Sequence, residues 1–244
     1  MHINSLQHPI GKLIRDFNFF GDKKYKLIVI LGLLGDFDSV EYAQNLKKYI
    51  DSNKNNNLDI FLIAIGNKNG KEKFCKFTGF PKENLEVVSD NKIHNSLMIS
   101  KGIEVGLGGW LNMLLMLSGI NSLKTIKEVM RGYTGDLNAE QIFSESDNVN
   151  ILKFIKFKGK AFNQIFGSGY LRPFELATFR LINMIEIIKN WEDYILNVKF
   201  LPQRGATFIL NEKEQIIFKY SSKEVLGYSP EMNDPLKFLT KVCK

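Results

Sequence analysis

The stretch from Lys26 to Ile50, KLIVILGLLGDFDSVEYAQNLKKYI, limits the possible folds more than any other part of the chain. Leu27 to Leu34 is a continuous apolar run, rich in β-branched residues and closed by Gly35-Asp36. A run this short, with no polar alternation, predicts a strand buried on both faces, in the middle of a sheet that helices cover on each side. A periodic helix follows: Val40, Ala43, Leu46 and Ile50 make one apolar stripe, while Glu41, Asn45 and Lys48 turn away from it. Asp38 or Ser39 is placed to cap the first turn, where a short oxygen side chain accepts a bond from an otherwise unpaired amide. The joint Gly35-Asp36-Phe37-Asp38-Ser39 thus lies between a strand's C-terminal end and a helix N-terminus, where open α/β sheets often place their chemistry.

The flanking pattern extends this unit. Leu58 to Ile65 reads as a second buried strand, and the helix-length connection makes a right-handed, parallel βαβ unit. Before it, Ile10 to Phe20 predicts an amphipathic helix with Ile10, Leu13, Ile14 and Phe17 on one face, ended by Gly21-Asp22. After it come a helix from Lys71 to Thr78, stopped by Gly79 and Pro81, a strand from Leu85 to Val88 and a short helix from Ile93 to Ser100. Gly205 to Leu210 and Gln215 to Tyr220 alternate bulky apolar residues around Asn211 to Glu214 and predict a β-hairpin. Leu236 to Val242 is a last helical turn.

The middle of the chain is different. Ile103 to Ile120 is its most apolar segment, but Glu104, Asn112 and four glycines argue against a membrane span. A buried helix from Gly109 to Leu117 is expected, since a membrane-surface helix needs a strongly polar face that Leu111 to Leu117 lacks. Ser122 caps a further helix, ending at Gly132, with Leu123, Ile126, Val129 and Met130 inward. Asn138 and Gln141 have the spacing of a capping box. Ser144 to Asn150 reads as a mobile loop, and Ile151 to Phe157 as an edge strand guarded by its lysines. Pro173 opens the longest helix, to about Tyr194, with Leu176, Phe179, Leu181, Ile182, Ile185 and Ile188 on a broad apolar face. Trp110 to Leu117 is expected to be buried against that face.

Gly35, Glu41, Ala43 and Leu46 fall on the pattern G-C-x-x-C-x-E-x-A-x-x-L. In this turn, in Phe77 to Asp90 with its Thr78-Gly79-Phe80-Pro81, and in Gln203 to Leu210, the sequence resembles the peroxiredoxin-like branch of the alkyl hydroperoxide reductase and thiol-specific antioxidant (AhpC/TSA) family. The stretches LLGDFD, RGYTGD, RPFELA and QRGATF, in this order, are similar to a cyanobacterial and plastid-type long form of it. The resemblance implies an α/β, thioredoxin-like (peroxiredoxin-like) fold in a single domain. Its core would be residues 22–102 and 202–244, with a large helical insertion at 103–201.

The family's chemistry needs a thiolate, the species that attacks a peroxide oxygen. The two cysteine positions of the pattern hold Asp36 and Ser39 here, and Leu33 and Asp36 stand where a Thr-x-x-Cys motif would be. By resemblance, Arg204 is the arginine that would assist the thiolate. Two readings of the joint are open: an acidic site that binds a cation or acts as acid and base, or a structural turn in which Asp38 caps the helix and Asp36 pairs with Arg204. The second is preferred. Cys75 is either a relocated reactive thiol, its pKa lowered by Lys71, Lys73 and Lys76, or a small apolar residue packed beside Phe74 and Phe77. Again the second is preferred. Cys243, next to the last residue, is expected to be flexible and incidental.

Two cysteines make neither a disulfide framework nor a zinc cluster, and His2, His8 and His94 are far apart, so no metal and no cofactor is expected. Gly66 to Gly70 and Gly106 to Gly109 lack phosphate-loop spacing, and Ser168 has no GxSxG pattern and no histidine after it. The net charge of +7 comes from scattered lysines, without an arginine-rich helix, so nucleic acid is not an expected partner. His2 to Gly11 is polar and interrupted by Pro9, unlike a signal peptide, which fits a reducing, cytoplasmic setting. The expected function is a non-peroxidatic binding or redox-associated module with an unknown protein partner or small ligand and no stable membrane insertion. The alternative is a thiol-dependent antioxidant peroxidase, an oxidoreductase, working through Cys75. A prenyl-, lipid- or quinone-binding role for the apolar middle ranks behind both.

Overall fold

The computed structural model describes residues 3–4, 8–18, 23–52, 57–106, 108–120, 122–152 and 155–243. The chain opens with a two-residue strand, β1 (Ile3–Asn4), and a helix, α1 (Pro9–Asp16), which His8 caps by accepting the Ile10 amide on Nδ1. Ile10, Leu13 and Ile14 of α1 are buried, as the spacing predicts. The expected stretch to Phe20 and the Gly21-Asp22 stop lie at 19–22, outside the described residues.

The apolar run becomes β2 (Tyr25–Leu33), buried at every position. It leads through the joint into α2 (Phe37–Asp51) and then β3 (Leu58–Ile65), which lies parallel to β2 from the Tyr25–Leu58 pair to the Leu33–Ile65 pair. The next helix, α3 (Lys68–Thr78), starts earlier than expected because the Asn67 side chain caps it, accepting the Gly70 amide at 2.8 Å. It ends at Gly79, whose φ of 74° is a left-handed conformation that glycine adopts without strain. β4 (Leu85–Val88) joins β3 in parallel, and α4 (Lys92–Ser96) follows, shorter than the Ile93–Ser100 expectation.

The middle of the chain supplies α5 (Gly109–Leu117), α6 (Leu123–Thr134), the strands β5 (Asn148–Leu152) and β6 (Ile155–Lys158), α7 (Lys160–Phe166), α8 (Glu175–Lys189) and α9 (Trp191–Tyr194). The chain closes with β7 (Ala206–Leu210), β8 (Gln215–Ser221) and α10 (Lys237–Val242). The main sheet has six strands in the order β1-β8-β7-β2-β3-β4. β7 pairs antiparallel with both β2 and β8, so the late hairpin and the early βαβ unit share one mixed sheet, as expected. Alternation along β2 feeds two cores. Leu27, Val29, Leu31 and Leu33 face a large one with α2 and α3, whereas Ile28 and Ile30 meet Ile10, Ile14 and Phe208 under α1.

Several expectations for the middle need correcting. Ser144–Asn150 is a loop only as far as Asp147, and Ile151–Phe157 is not one strand: β5 takes Asn148 to Leu152 and pairs antiparallel with β6 as a hairpin, with residues 153–154 outside the described set. Asn138 and Gln141 start no helix; Asp136 instead bridges Leu171. Pro173 is not in the first helical turn, because Phe174 takes a left-handed φ of 63° and α8 begins only at Glu175. At its other end α8 stops at Lys189, and Asn190 separates it from α9.

The faces of three helices also differ from the reading. On α8, Leu176 and Ile187 are buried, but Leu181 and Ile188 are exposed. The side turned to α2 is polar: Asn183 and Gln44 exchange two amide bonds of 2.9 and 3.0 Å, and Arg180 binds Glu41. On α6, which runs past Gly132 to Thr134, Leu123, Ile126 and Met130 are exposed, while Thr125, Glu128 and Gly132 face inward. Thr125 Oγ1 donates to the Val225 carbonyl at 3.1 Å, and Gly132 lies against Ala177 of α8. Finally, α5 packs on α6 and on the turn at Val198–Phe200 rather than on α8. A Cβ on Gly109 would stand 1.8 Å from the Val198 carbonyl oxygen, so only glycine permits this approach. Met113 and Met116 are buried, but Trp110 is half exposed and stacks on Trp191 at 4.8 Å between ring centres.

Candidate active-site joint

The end of β2 is irregular. Its register with β3 shifts between Ile30 and Leu33, so three steps on β2 match two on β3. His94 of α4 takes up the Leu31 carbonyl at this bulge, its Nε2 lying 2.7 Å away. Because a carbonyl only accepts, Nε2 carries the proton. His94 is fully buried, and burial pushes its pKa down to about 4, so the ring is neutral. Sequence reasoning missed this role: no spacing motif marks His94, and the bulge it serves exists only in three dimensions.

At the joint the N-cap of α2 is Asp36, not Asp38 or Ser39, and no side chain makes the capping bond. The reason is Arg204. The loop before β7 brings its guanidinium under the first turn of α2, where Nη1 lies 3.0 Å from Asp38 Oδ2 and Nη2 lies 3.2 Å from Asp36 Oδ2. Nε donates to the Pro202 carbonyl at 2.9 Å and Nη2 to the Leu201 carbonyl at 3.2 Å. Arg204 is fully buried, and Asp36, Asp38 and Ser39 are buried beside it. The structure thus brings together Asp36, Ser39 and Arg204, three of the four site residues read from the sequence.

Two buried carboxyls share one arginine. Burial, then the charge of Asp36, pushes the Asp38 carboxyl up to about 8 against the pull of Arg204. Burial also raises Asp36. At neutral pH the trio therefore carries a proton that ordinary carboxylates would have lost. A cavity of about 20 Å³ lies between Asp36, Asp38, Ser39, Tyr42, Thr207 and Ser222. It has room for one water-sized group. Asp36 Oδ1, Asp38 Oδ1 and Ser39 Oγ are buried without a hydrogen-bond partner in the protein. The joint can hold a proton and a very small polar guest; it offers no nucleophilic sulfur.

This titration should be visible in stability. Asp38 is raised in the folded state from 3.8, so its stabilising contribution is complete below about pH 4 and is lost as pH rises through 8. His94 is lowered from 6.5, so its contribution is complete above 6.5 and is lost as pH falls toward 4. The two slopes oppose each other at acid pH, and above 6.5 the raised carboxyl pair, Asp36 and Asp38, acts without His94. Denaturant unfolding of the wild type should lose about 2 kcal/mol between about pH 6.5 and 8. Asp36→Asn/Asp38→Asn should be level over that window. An unchanged slope in the variant would assign the proton to another group.

Cys75 is elsewhere. It lies on α3 beside fully buried Phe74 and is itself buried. Burial pushes its thiol up to about 11; Lys71 and Lys82 pull down too weakly to offset this, and no charge from the joint acts on it. Lys73, one of the lysines on which the reactive-thiol reading depends, binds Asp193 instead at 2.5 Å. Cys243 is not an exposed tail residue: it is buried in the main core, its pKa also near 11.

A larger opening begins farther along α2. A cleft of about 530 Å³ is lined by Gln44, Asn45, Tyr49, Gln141 and Tyr228 among others, and shares Arg131, Asn138, Met232 and Asn233 with a second of about 670 Å³. Their walls carry a chain of ion pairs. Arg180 joins Glu41 to Glu128 at 2.7 Å each, and Arg131 continues it from Glu128 at 2.6 Å to Asp136 at 3.4 Å. Glu41, read as facing away from the core, is buried because α8 lays Arg180 over it.

Among the described residues, no group of three or more His, Cys, Asp or Glu is arranged to hold a metal ion, and no helix is long and apolar enough to cross a membrane. Neither the curated proteins nor the solved structures include a match to the chain. The family model described as AhpC/TSA antioxidant enzyme matches residues 45–224, beginning inside α2 just after the joint and continuing past β8. With well over half of its length matched and with its mixed α/β sheet, the chain belongs to the AhpC/TSA antioxidant enzyme family and has that family's thioredoxin-like fold.

Proposed function

We propose that this chain is a peroxiredoxin-like member of its family that does not reduce peroxide at the strand–helix joint and acts as a binding or redox-associated module. In this reading it is a single domain, with its core at residues 22–102 and 202–244 and a helical insertion at 103–201. One observation carries the reading: Arg204, placed to stabilise a thiolate at the helix N-terminus, is bound to Asp36 and Asp38. A carboxylate cannot pass through the sulfenic acid on which thiol peroxidases depend. The cleft lined by Gln44, Asn45, Arg131 and Tyr228 supports a small-ligand role, since its size and its mixture of polar and apolar walls suit one.

The test is thiol reactivity. A thiol raised from 9.0 to about 11 presents about a hundredfold less thiolate at neutral pH. Native Cys75 should therefore react with a disulfide reagent about a hundredfold more slowly than in urea, and peroxide turnover with a thiol reductant should be negligible. Rapid native labelling, with peroxidase activity abolished by Cys75→Ser and retained in Cys243→Ser, would make the chain an active thiol peroxidase instead.

A further inference from the structure

Among the described residues, every large hydrophobic side chain that is exposed lies between Met98 and Val198. Such side chains scattered singly need no explanation, but a concentration of them marks an interaction surface. It is densest on α5 and α6. α5 has no charged residue, and its outward side consists of Trp110 at 52%, Leu111 at 40% and Leu114 at 54% exposure. On α6 the outward side is split lengthwise. At 100° per residue, Leu123, Ile126, Met130 and Tyr133 form one strip, 41–83% exposed, and Lys124 and Lys127 form another beside it. The two helices pack together, and Ile126 lies over Gly119 in the turn between them, so the apolar strip of α6 continues toward that of α5.

Charge selects what covers this face. The ion pairs of α6 run through Glu128 and Arg131 toward the interior, leaving Lys124 and Lys127 turned to solvent. A two-fold dimer whose axis crosses this strip would put the lysines of both copies on one side, where like charges repel, and one whose axis runs along the strip would cover the apolar side chains without using the lysines. A flat anionic surface meets both strips at once: lysines reach its phosphates while Trp, Tyr and Leu side chains enter the boundary below. The polar face that α5 lacks by itself is supplied by α6.

We propose that the α5–α6 pair is a peripheral docking surface for an anionic lipid bilayer, with Trp110, Leu114, Leu123 and Met130 entering the headgroup–acyl boundary and Lys124 and Lys127 seated on lipid phosphates. The contact is superficial, in keeping with helices too short to span a bilayer.

The experiment is sedimentation of the full chain with vesicles of phosphatidylcholine alone and of phosphatidylcholine mixed with phosphatidylglycerol, read together with tryptophan emission. The chain has only two tryptophans, Trp110 and its stacking partner Trp191, so emission reports on this face directly. The expected result is binding to the mixed vesicles only, weakened by salt, with a blue shift of the emission. Leu123→Glu/Met130→Glu should abolish binding, and Lys124→Gln/Lys127→Gln should weaken it roughly thirtyfold. All four positions are exposed, so circular dichroism should show both variants folded. The proposal is overturned if the wild type stays in the supernatant with both vesicles. It is equally overturned if Leu123→Glu/Met130→Glu still binds, or if light scattering finds a dimer that this variant dissociates while no lipid is bound.

Discussion

Replacing Arg204 by Met should destabilise the protein by about 3–5 kcal/mol, because the change removes one partner of a buried charge cluster and leaves the others behind. The stem of the side chain is kept, so little packing is lost. What goes is the guanidinium that faces Asp36 and Asp38 and donates to the carbonyls of Pro202 and Leu201. Two buried carboxyls then have no counter-charge, and two carbonyls lose a donor. The penalty should shrink as pH falls, since both carboxyls, already raised, can take up protons and become neutral. It should also shrink when Asp36→Asn and Asp38→Asn are added. Denaturant unfolding at several pH values checks all three statements. A loss below about 1 kcal/mol, or one independent of pH, would mean that the cluster does not hold the joint together.

Arg172→Met should cost a similar amount, about 3–5 kcal/mol, in a second buried pair where α8 begins. Arg172 and Glu175 are both fully buried, with Nη2 and Oε1 2.5 Å apart. Arg172 also donates to the Phe143 carbonyl at 2.8 Å and to Asn163, and covers the Phe162 ring at 5.2 Å. Glu175 accepts the amides of Ile142 and Phe143 at 2.9 and 2.7 Å. Burial alone would raise the Glu175 carboxyl, but the Arg172 guanidinium and the amides of Phe143 and Arg172 outweigh it and lower the pKa. One ion pair thus ties α7 and the approach to β5 onto the start of α8. In Arg172→Met, hydrogen exchange should speed up in β5 and β6 while β2 and β3 keep their protection. Adding Glu175→Gln should recover part of the loss. Uniform acceleration across the main sheet would show that the pair supports the whole fold.

The main sheet was legible because its signals are local and repetitive. An unbroken apolar run can be satisfied only by burial on both faces, and alternating arms around a polar turn make a hairpin. The joint was legible as a place, and the Asp36–Arg204 pairing was anticipated. The capping role of Asp38 was not correct, because the side chain that captures its carboxylate lies 166 residues away in sequence. The helices of the middle were misread for a different reason. Periodicity identifies an apolar stripe but not which way it points. On α6 and α8 the inward sides are polar because Glu41, Arg180, Glu128, Gln44 and Asn183 pair with one another, and that pairing leaves Leu123, Met130 and Ile188 outside.

The position of β7 beside β2 has a consequence for how the chain is made. β2, α2 and β3 leave the ribosome in succession and can pair at once, but the other edge of β2 waits for Ala206 to Leu210. At roughly 5–20 residues per second, that delay is on the order of ten to thirty seconds. Throughout it, the backbone groups of Lys26 to Ile30 that later meet β7 remain a bare strand edge, flanked by side chains that the finished fold buries. Such an edge is a template for any passing strand. Synthesis that stalls before Ala206 would therefore leave a nascent chain prone to aggregate, and the arrival of the hairpin is the event that ends the hazard.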